Sequence, residues 1–329
     1  MDLKRIFLSF TVCCVLCSCS ANGETADERF RNESAEIISS QKETDTETEV
    51  SNAEAIAQMP SLYAYDEQEK CLTVDLKNTG EASEMPYNSE AAEILRIDAL
   101  TDYSLDISSL GDLENVRQIY INGTVSDLSF AENYKALTDV CIEHFDGRLS
   151  VPYENPSVKK VSIANSQIEI ESIDKWSALE ELDISNSDVV VSGRYDGFDG
   201  LKRFNAVCSS FENNDLSFAE NAPGLTEFVY SPLQNIDLQN LQSLQSCNEL
   251  KALTLSGNIT DLNFLAELKK LEDLTVITEN YLELSPFYEN NSLTSAEISC
   301  TGYDSGEKAE LIEKFPQCSW TIESYDKIF

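Results

Sequence analysis

The segment Leu250-Lys-Ala-Leu253-Thr-Leu255-Ser-Gly-Asn258-Ile259 decides the fold, because its apolar residues stand at the first, fourth and sixth positions of a unit that recurs along the chain. Leu253 and Leu255 lie two residues apart, which places both side chains on one face of a short strand. A unit that repeats about every twenty-two residues predicts a repeat protein. In such a protein, stacked units bury one continuous core that no single unit can close.

The apolar triplet occurs eleven times, at starts 21 to 25 residues apart. All 33 triplet positions are apolar, although only 42% of the chain is. Each triplet therefore predicts one strand, and successive strands are expected to lie about 4.8 Å apart in a parallel sheet. The triplets are Ala92, Leu95, Ile97; Val116, Ile119, Ile121; Leu137, Val140, Ile142; Val158, Val161, Ile163; Leu179, Leu182, Ile184; Leu201, Phe204, Ala206; Leu225, Phe228, Tyr230; Leu250, Leu253, Leu255; Leu271, Leu274, Val276; Leu293, Ala296, Ile298; and Phe315, Cys318, Trp320.

The pattern resembles the leucine-rich repeat family, most closely its short bacterial, internalin-like members, over about residues 91 to 322. The resemblance implies an α/β solenoid: a horseshoe of about 10–11 repeats, with a parallel β-sheet on the concave side and a cap at each end. One position departs from the family. The ninth residue of each repeat, commonly Asn or Cys, is Asn only at Asn258, and it is Ser166, Ser187 and Ser209 in three central repeats. We expect Ser and Thr to bind the buried backbone groups there, or the turns to be irregular.

The first eighteen residues have the features of a signal peptide: Lys4-Arg5 precedes an apolar run that is too short to cross a bilayer. The segment Leu16-Cys17-Ser18-Cys19 resembles the lipobox of bacterial lipoproteins. The resemblance implies cleavage before Cys19, a lipid on its thiol, and an exported protein that is anchored to the bacterial cell membrane and faces outward. Two acyl chains would give stable anchoring. An ordinary secretory signal with incidental cysteines is the alternative.

The remaining chain divides into four predicted segments. Residues 19–60 are rich in Ser, Thr, Asn and Glu, which predicts a disordered acidic tether. Residues 61–90 form an expected N-terminal cap with paired strands, residues 91–301 form the repeat domain, and residues 302–329 form the C-terminal cap. In the last of these, residues 308–315 predict an amphipathic helix that ends at Pro316, and residues 318–322 predict a final strand.

Acidic residues dominate the chain, with 59 Asp and Glu against 23 Lys and Arg and a net charge of −36. Residues 61–329 alone carry −30, so the acidity belongs mainly to the expected solenoid. This charge excludes nucleic acid as a partner, since nucleic-acid binding needs a basic surface.

The sequence offers little for catalysis, and we expect neither an enzyme nor a bound cofactor or metal. Its one histidine, His144, lies three residues from Cys141 on an extended segment, where alternation sends the two to opposite faces. Asp183 and Asp188 are not part of a calcium-loop motif, and no nucleotide or zinc motif occurs. We also expect no intramolecular disulfide, because Cys300 and Cys318 are offset by four residues, or about 13 Å, on adjacent strands. A hydrolase that uses a pair of carboxylates is the least favoured alternative.

The resemblance implies that a protein or glycan partner binds the concave sheet, where the third, fifth and seventh residues of each repeat point outward. Many of these residues are carboxylates, so we expect a cationic or neutral partner that binds in a salt-sensitive manner, and a monomeric protein. The alternative is a structural or envelope-organising protein without a discrete ligand. The candidate binding residues are Tyr120, Asp139, Glu143, Glu181, Asp183, Arg203, Glu227, Asp273 and Glu297.

Overall fold

The computed structural model describes residues 63–76, 86, 88–99, 110, 113–125, 127–132, 134–192 and 196–324. The expected signal peptide, Cys19 and the expected acidic tether lie outside these residues. No helix among the described residues is long and apolar enough to span a membrane.

A thirteen-stranded sheet runs the length of the described chain in the order β1-β2-β3-β4-β5-β7-β9-β11-β13-β14-β15-β16-β17. Its strands are β1 Tyr63–Asp66, β2 Cys71–Asp75, β3 Ile94–Asp98, β4 Gln118–Asn122, β5 Asp139–Glu143, β7 Lys160–Ala164, β9 Glu181–Ser185, β11 Arg203–Val207, β13 Glu227–Ser231, β14 Ala252–Ser256, β15 Asp273–Ile277, β16 Ser295–Cys300 and β17 Ser319–Ser324. A second sheet of four parallel strands follows the turns of the central repeats. It comprises β6 Asp146–Ser150, β8 Gln167–Glu171, β10 Asp188–Ser192 and β12 Ser210–Phe211.

The strands of the large sheet are parallel from β2 to β17, and from β3 to β16 they pair repeat by repeat in the predicted register. Leu253 pairs with Leu274, and Leu255 pairs with Val276. Of the 33 triplet residues, 32 are buried, and Trp320 is partly buried. The chain therefore has the leucine-rich repeat fold, with the core between the large sheet and the segments that return behind it.

The predicted register of the last repeat is wrong. Trp320 pairs with Ala296 and Ile322 pairs with Ile298, so the final strand is shifted by two residues from the triplet Phe315, Cys318 and Trp320. Phe315 and Cys318 are still buried, but they lie in the segment that leads from the last helix into β17. Cys318, Trp320 and Ile322 alternate along the chain, so the fourth and sixth positions fit apolar residues in either frame. The pairing of β16 with β17 selects the later frame, although this frame puts Gln317 at the first position.

The return segments are mostly short 3₁₀-helices. They span Ser89–Ala91, Ser129–Ala131, Ile173–Lys175, Asp196–Gly200, Glu212–Asn214, Leu216–Asn221, Leu241–Ser246, Asn263–Glu267 and Ser285–Glu289. Two of them follow an aspartate that binds their first backbone N–H group: Asp127 Oδ1 accepts the Ser129 N–H at 2.8 Å, and Asp261 Oδ1 accepts the Asn263 N–H at 2.7 Å.

A ladder of serines occupies the ninth position of the central repeats. The Ser187 hydroxyl accepts the Ser166 N–H at 3.1 Å and donates to the Ser185 carbonyl at 2.7 Å. Ser209 repeats this arrangement one turn later, accepting from Ser187 N–H at 3.1 Å. Since all three ladder serines, at 166, 187 and 209, are buried, each hydroxyl satisfies two backbone groups that water cannot reach. The expected substitution by Ser is confirmed.

Both ends of the large sheet carry additional structure. At one end β1 pairs with β2 in an antiparallel hairpin. At the other end, helix α1, Ser305–Lys314, is capped by Asp304, whose side chain accepts the N–H groups of Gly306 and Glu307. Lys308 Nζ on this helix donates to the Ile322 carbonyl on β17 at 2.9 Å. The large sheet thus extends into both predicted cap segments, since β2 and β17 continue the parallel pairing.

Candidate functional site

The exposed face of the large sheet, the concave face of the horseshoe, presents the third, fifth and seventh residues of each repeat. In most strands these residues are partly or fully exposed, while the fourth and sixth are buried. From β2 to β17 this face carries ten carboxylates and three cations. The carboxylates are Asp75, Asp98, Asp139, Glu143, Glu181, Asp183, Glu227, Asp273, Glu297 and Glu323; the cations are Arg96, Lys160 and Arg203.

Tyr120 and Glu143, two of the predicted candidates, are brought together on neighbouring strands β4 and β5. The Tyr120 hydroxyl donates to Glu143 Oε2, and the Arg96 guanidinium lies over the Tyr120 ring, 4.9 Å from its centre. The hydrogen bond to Glu143, together with burial and the negative charge of that carboxylate, raises the pKa of Tyr120 to about 12. We call Arg96, Tyr120 and Glu143 the tyrosine cluster.

Hydrogen bonds continue from the tyrosine cluster to the edge of the sheet. Asn165 Nδ2 donates to Glu143 Oε1 at 3.2 Å, and Asn186 Nδ2 donates to Asn165 Oδ1 at 2.8 Å. Asn165 and Asn186 are not among the predicted candidates. The dipeptide Asn-Ser, which occurs at 165–166 and again one repeat later at 186–187, is the sequence signal that could have identified them.

Four other candidates form an ion-pair ladder with Lys160. Glu181 lies between Lys160 and Arg203, at 3.4 and 3.5 Å, and Arg203 Nε also contacts Glu227 at 3.1 Å. Asp183 contacts Lys160 at 3.4 Å. Burial alone would lower the pKa of Lys160, but Asp183 and Glu181 outweigh it and raise that pKa. In this part of the face, Lys160 and Arg203 therefore largely neutralise the charge of the carboxylates.

The three remaining candidates are not brought together. Asp139 accepts a hydrogen bond from Thr138 Oγ1 at 2.6 Å. Asp273 and Glu297 lie on β15 and β16, but they are not level, because Asp273 pairs with Ser295 and Thr275 pairs with Glu297. Around Asp273 and Glu297 the face carries the hydroxyl side chains of Thr275, Ser295 and Ser299, none of which is a predicted candidate.

The possible catalytic groups do not assemble. Cys141 Sγ contacts Gln118 Nε2 at 3.4 Å, whereas His144 Nδ1 lies 3.0 Å from Asn122 Oδ1. Asp183 is on the large sheet and Asp188 begins β10 in the second sheet. Within the described part of the chain, no group of three or more His, Cys, Asp and Glu residues is placed to hold a metal ion.

Six cysteines fall in the described residues, and all are free thiols. The predicted offset of four residues between Cys300 and Cys318 is wrong, because β17 has a different register from the predicted one. Cys300 pairs with Ser324, and Cys318 precedes Ser319, which pairs with Ser295. The two thiols are thus offset by six residues, or about 20 Å along the strands, and not by four.

Comparison with solved structures finds other leucine-rich repeat proteins, all at low identity. An internalin from Listeria monocytogenes is 15% identical, with 78% of this chain and 88% of that chain covered and a TM-score of 0.43. A leucine-rich repeat protein from Leptospira interrogans is 13% identical, with 76% and 88% covered and a TM-score of 0.32. A chain from the octameric complex of Latrophilin 3, Unc5D and FLRT2 is 13% identical, with 81% and 92% covered and a TM-score of 0.48. No protein-family model matches the chain, and no curated protein matches it.

Proposed function

We propose that this chain is a binding module: a bacterial surface lipoprotein whose concave face binds a protein or glycan partner. The tyrosine cluster is the observation that carries the proposal. Tyr120 stands on an exposed sheet face with a cation over its ring and a carboxylate on its hydroxyl. A tyrosine held in one orientation offers apolar contact area and a polar group without a large loss of side-chain entropy on binding.

The charge of the concave face supports a cationic or neutral partner. The excess of negative charge on this face lies mainly outside the ion-pair ladder, because within the ladder Lys160 and Arg203 pair with neighbouring carboxylates. Asp273 and Glu297 form no ion pair with any cation among the described residues, and the tyrosine cluster contains one carboxylate and one cation, both in contact with Tyr120. Attraction between these carboxylates and a cationic partner is screened by salt, so we expect affinity to fall as ionic strength rises.

A comparison of the half-buried Tyr120 with the exposed Tyr281 tests the concave face. Tyr120→Ala removes the ring from the tyrosine cluster, and Tyr281→Ala removes an equally large side chain from a turn outside the sheet strands, where it is 57% exposed. We expect Tyr120→Ala to weaken capture of the partner from the cell surface by about thirtyfold, the scale of a hot-spot residue, and Tyr281→Ala to leave it unchanged. Equal capture by both variants would contradict the proposal.

The proposed anchor rests on the lipobox resemblance around Cys19. Cys19→Ala removes the thiol that would carry the lipid, so we expect the protein to appear in the growth medium instead of the membrane fraction. Ser20→Ala, on the next residue, is the matched control and is expected to stay with the membrane. Membrane association of Cys19→Ala equal to that of the control would refute the anchor while leaving the binding proposal intact.

A further inference from the structure

The last strand of the large sheet, β17, has one edge that no strand in the described part of the chain covers. Its other edge pairs with β16, where Ser319 donates its N–H to the Thr294 carbonyl at 2.8 Å. Along a strand, neighbouring residues turn their N–H and C=O groups to opposite edges, so that each edge receives every second residue. The backbone groups of Trp320 and Ile322 therefore point to the free edge of β17.

A free edge of this kind is a template on which a strand of another molecule can pair. The sequence of β17 favours such pairing, because its six residues include Trp320, Thr321 and Ile322 and contain neither Pro nor Lys. A second copy of the chain presents the same edge. Two copies of β17 related by a two-fold axis would run antiparallel and pair as a closed dimer.

Two side chains occupy the free edge at the Ile322 carbonyl. Lys308 Nζ donates to the carbonyl oxygen at 2.9 Å, and the Tyr303 hydroxyl donates to the same oxygen at 3.4 Å. Lys308 Nζ also donates to the Tyr303 hydroxyl oxygen at 3.2 Å and lies 5.2 Å from the centre of the tyrosine ring. We call Lys308 and Tyr303 the edge plug. A strand that arrives at this edge must displace the ammonium group from these partners.

An exposed apolar side chain lies beside the edge plug. Ile312 is 42% exposed, and it is one of three exposed large apolar side chains among the described residues. It follows Lys308 by four residues on helix α1, so the two side chains are neighbours on one face of the helix. Because Lys308 reaches the free edge of β17, this helix face borders that edge. A second copy that paired with β17 would therefore gain apolar contact as well as backbone hydrogen bonds.

We propose that the edge plug keeps the protein monomeric by preventing β17 from pairing with β17 of a second copy. The lysine acts in two ways. It occupies the Ile322 carbonyl that the new strand would use, and a two-fold contact would bury two ammonium groups, one from each copy. No part of the proposed function uses this end of the sheet, so either proposal can fail without the other.

Sedimentation equilibrium on the full chain tests the proposal, with Cys19→Ala in every protein so that the proposed lipid site is absent. Lys308→Met removes the ammonium group but keeps an unbranched side chain next to Tyr303. We expect this variant to dimerise with a Kd of about 100 μM or tighter, and the protein that retains Lys308 to associate about tenfold more weakly or less. Lys314→Met is the matched control, because it removes the same charge from the same helix, where Lys314 Nζ donates to the Tyr288 carbonyl at 3.2 Å. It is expected to stay monomeric.

A second substitution locates the contact. Ile312→Lys, added to Lys308→Met, returns a charge to the same helix face and should restore the monomer. Three results would overturn the proposal: a monomeric Lys308→Met, equal association of Lys314→Met, or association that Ile312→Lys leaves unchanged. Circular dichroism establishes that each variant is folded. Lys308→Gln, which also removes the charge, is measured in place of Lys308→Met if that variant does not fold, and the same dimer is expected.

Discussion

Tyr120 on β4 donates its hydroxyl hydrogen bond to Glu143 on the neighbouring strand β5, one repeat further along the chain. Arg96, one repeat earlier, covers the ring of the same tyrosine. Three consecutive repeats thus hold in place the one aromatic side chain that this face presents between β2 and β17. This arrangement makes the first part of the concave face the best-defined candidate for recognition.

The titration of Tyr120 reports directly on this hydrogen bond. We expect a pKa of about 12 for Tyr120 in the native protein. Glu143→Gln removes the negative charge beside the hydroxyl and should lower that pKa toward the ordinary value of about 10. Carbon NMR of labelled tyrosine rings measures both values. Asp139→Asn removes a carboxylate from the same strand as a control, and it should leave the Tyr120 titration unchanged.

The serine ladder predicts a loss of stability from one small substitution. Ser187→Ala leaves the buried N–H of Ser166 and the Ser185 carbonyl without their hydroxyl partner. An unsatisfied buried group costs about 1–3 kcal/mol, so we expect the free energy of unfolding to fall by about 2 kcal/mol in urea denaturation. Ser185→Ala, on the half-buried concave face two residues away, should change it by less than about 0.5 kcal/mol. Equal effects of the two would show that the ladder is not a source of stability.

The ion-pair ladder is expected to matter little for stability. Glu181 and its partners Lys160 and Arg203 have side chains 33%, 40% and 46% exposed, so solvent screens their attraction. We expect Glu181→Gln to lower the free energy of unfolding by no more than about 1 kcal/mol. A loss above about 2 kcal/mol, measured by urea denaturation at low salt, would show that the ladder is a structural element of the sheet.

Stability should fall steeply in alkali because buried groups resist ionisation. Burial raises the pKa of Cys247 to about 12, and burial also raises that of Tyr230 to about 12. Above the ordinary pKa values of about 8.5 for Cys and 10 for Tyr, the unfolded chain loses these protons while the folded chain keeps them. Raising the pH therefore favours unfolding, by about 1.4 kcal/mol per pH unit for each such group.

The variant Cys247→Ala measures how much the thiol of Cys247 contributes to this pH dependence. Between about pH 9.5 and 11, the stability of this variant should fall less steeply than that of the native protein, by about 1.4 kcal/mol per pH unit. Near neutral pH, where the thiol is protonated in both states, the two proteins should show the same slope. Parallel curves throughout would mean that the Cys247 thiol ionises as readily in the folded protein as in the unfolded chain.

The strands were predictable from the sequence because burial alternates along each strand and is a local property. Leu253 and Leu255 identify their strand without reference to any other repeat. The register of β17 was not predictable in the same way, since Phe315, Cys318 and Trp320 complete the apolar template two residues before the register that the strand adopts, in which Gln317 holds the first position. Helix α1 ends at Lys314, and the residues after it enter the core before the strand begins.

The residues that form ion pairs with the candidate side chains could not be predicted from single sequence positions. Glu181 is neutralised because Lys160 and Arg203 come level with it on the two adjacent strands, which depends on the exact lengths of two repeats. The hydrogen bond between Asn165 and Asn186 escaped prediction for a related reason. Asn165 and Asn186 lie in turns, where they resemble ordinary solvent-exposed residues, and only stacking places their side chains in one row.

Photo-crosslinking on intact cells tests the central claim, that the concave face around Tyr120 is the binding surface, most directly. A photoreactive benzoylphenylalanine replaces either Tyr120 or Tyr281 in otherwise native protein, and adducts are detected by their increased mass after irradiation. The account predicts an adduct from position 120 that diminishes in high salt, and none from position 281. An adduct from position 281 alone, or from neither position, would contradict it.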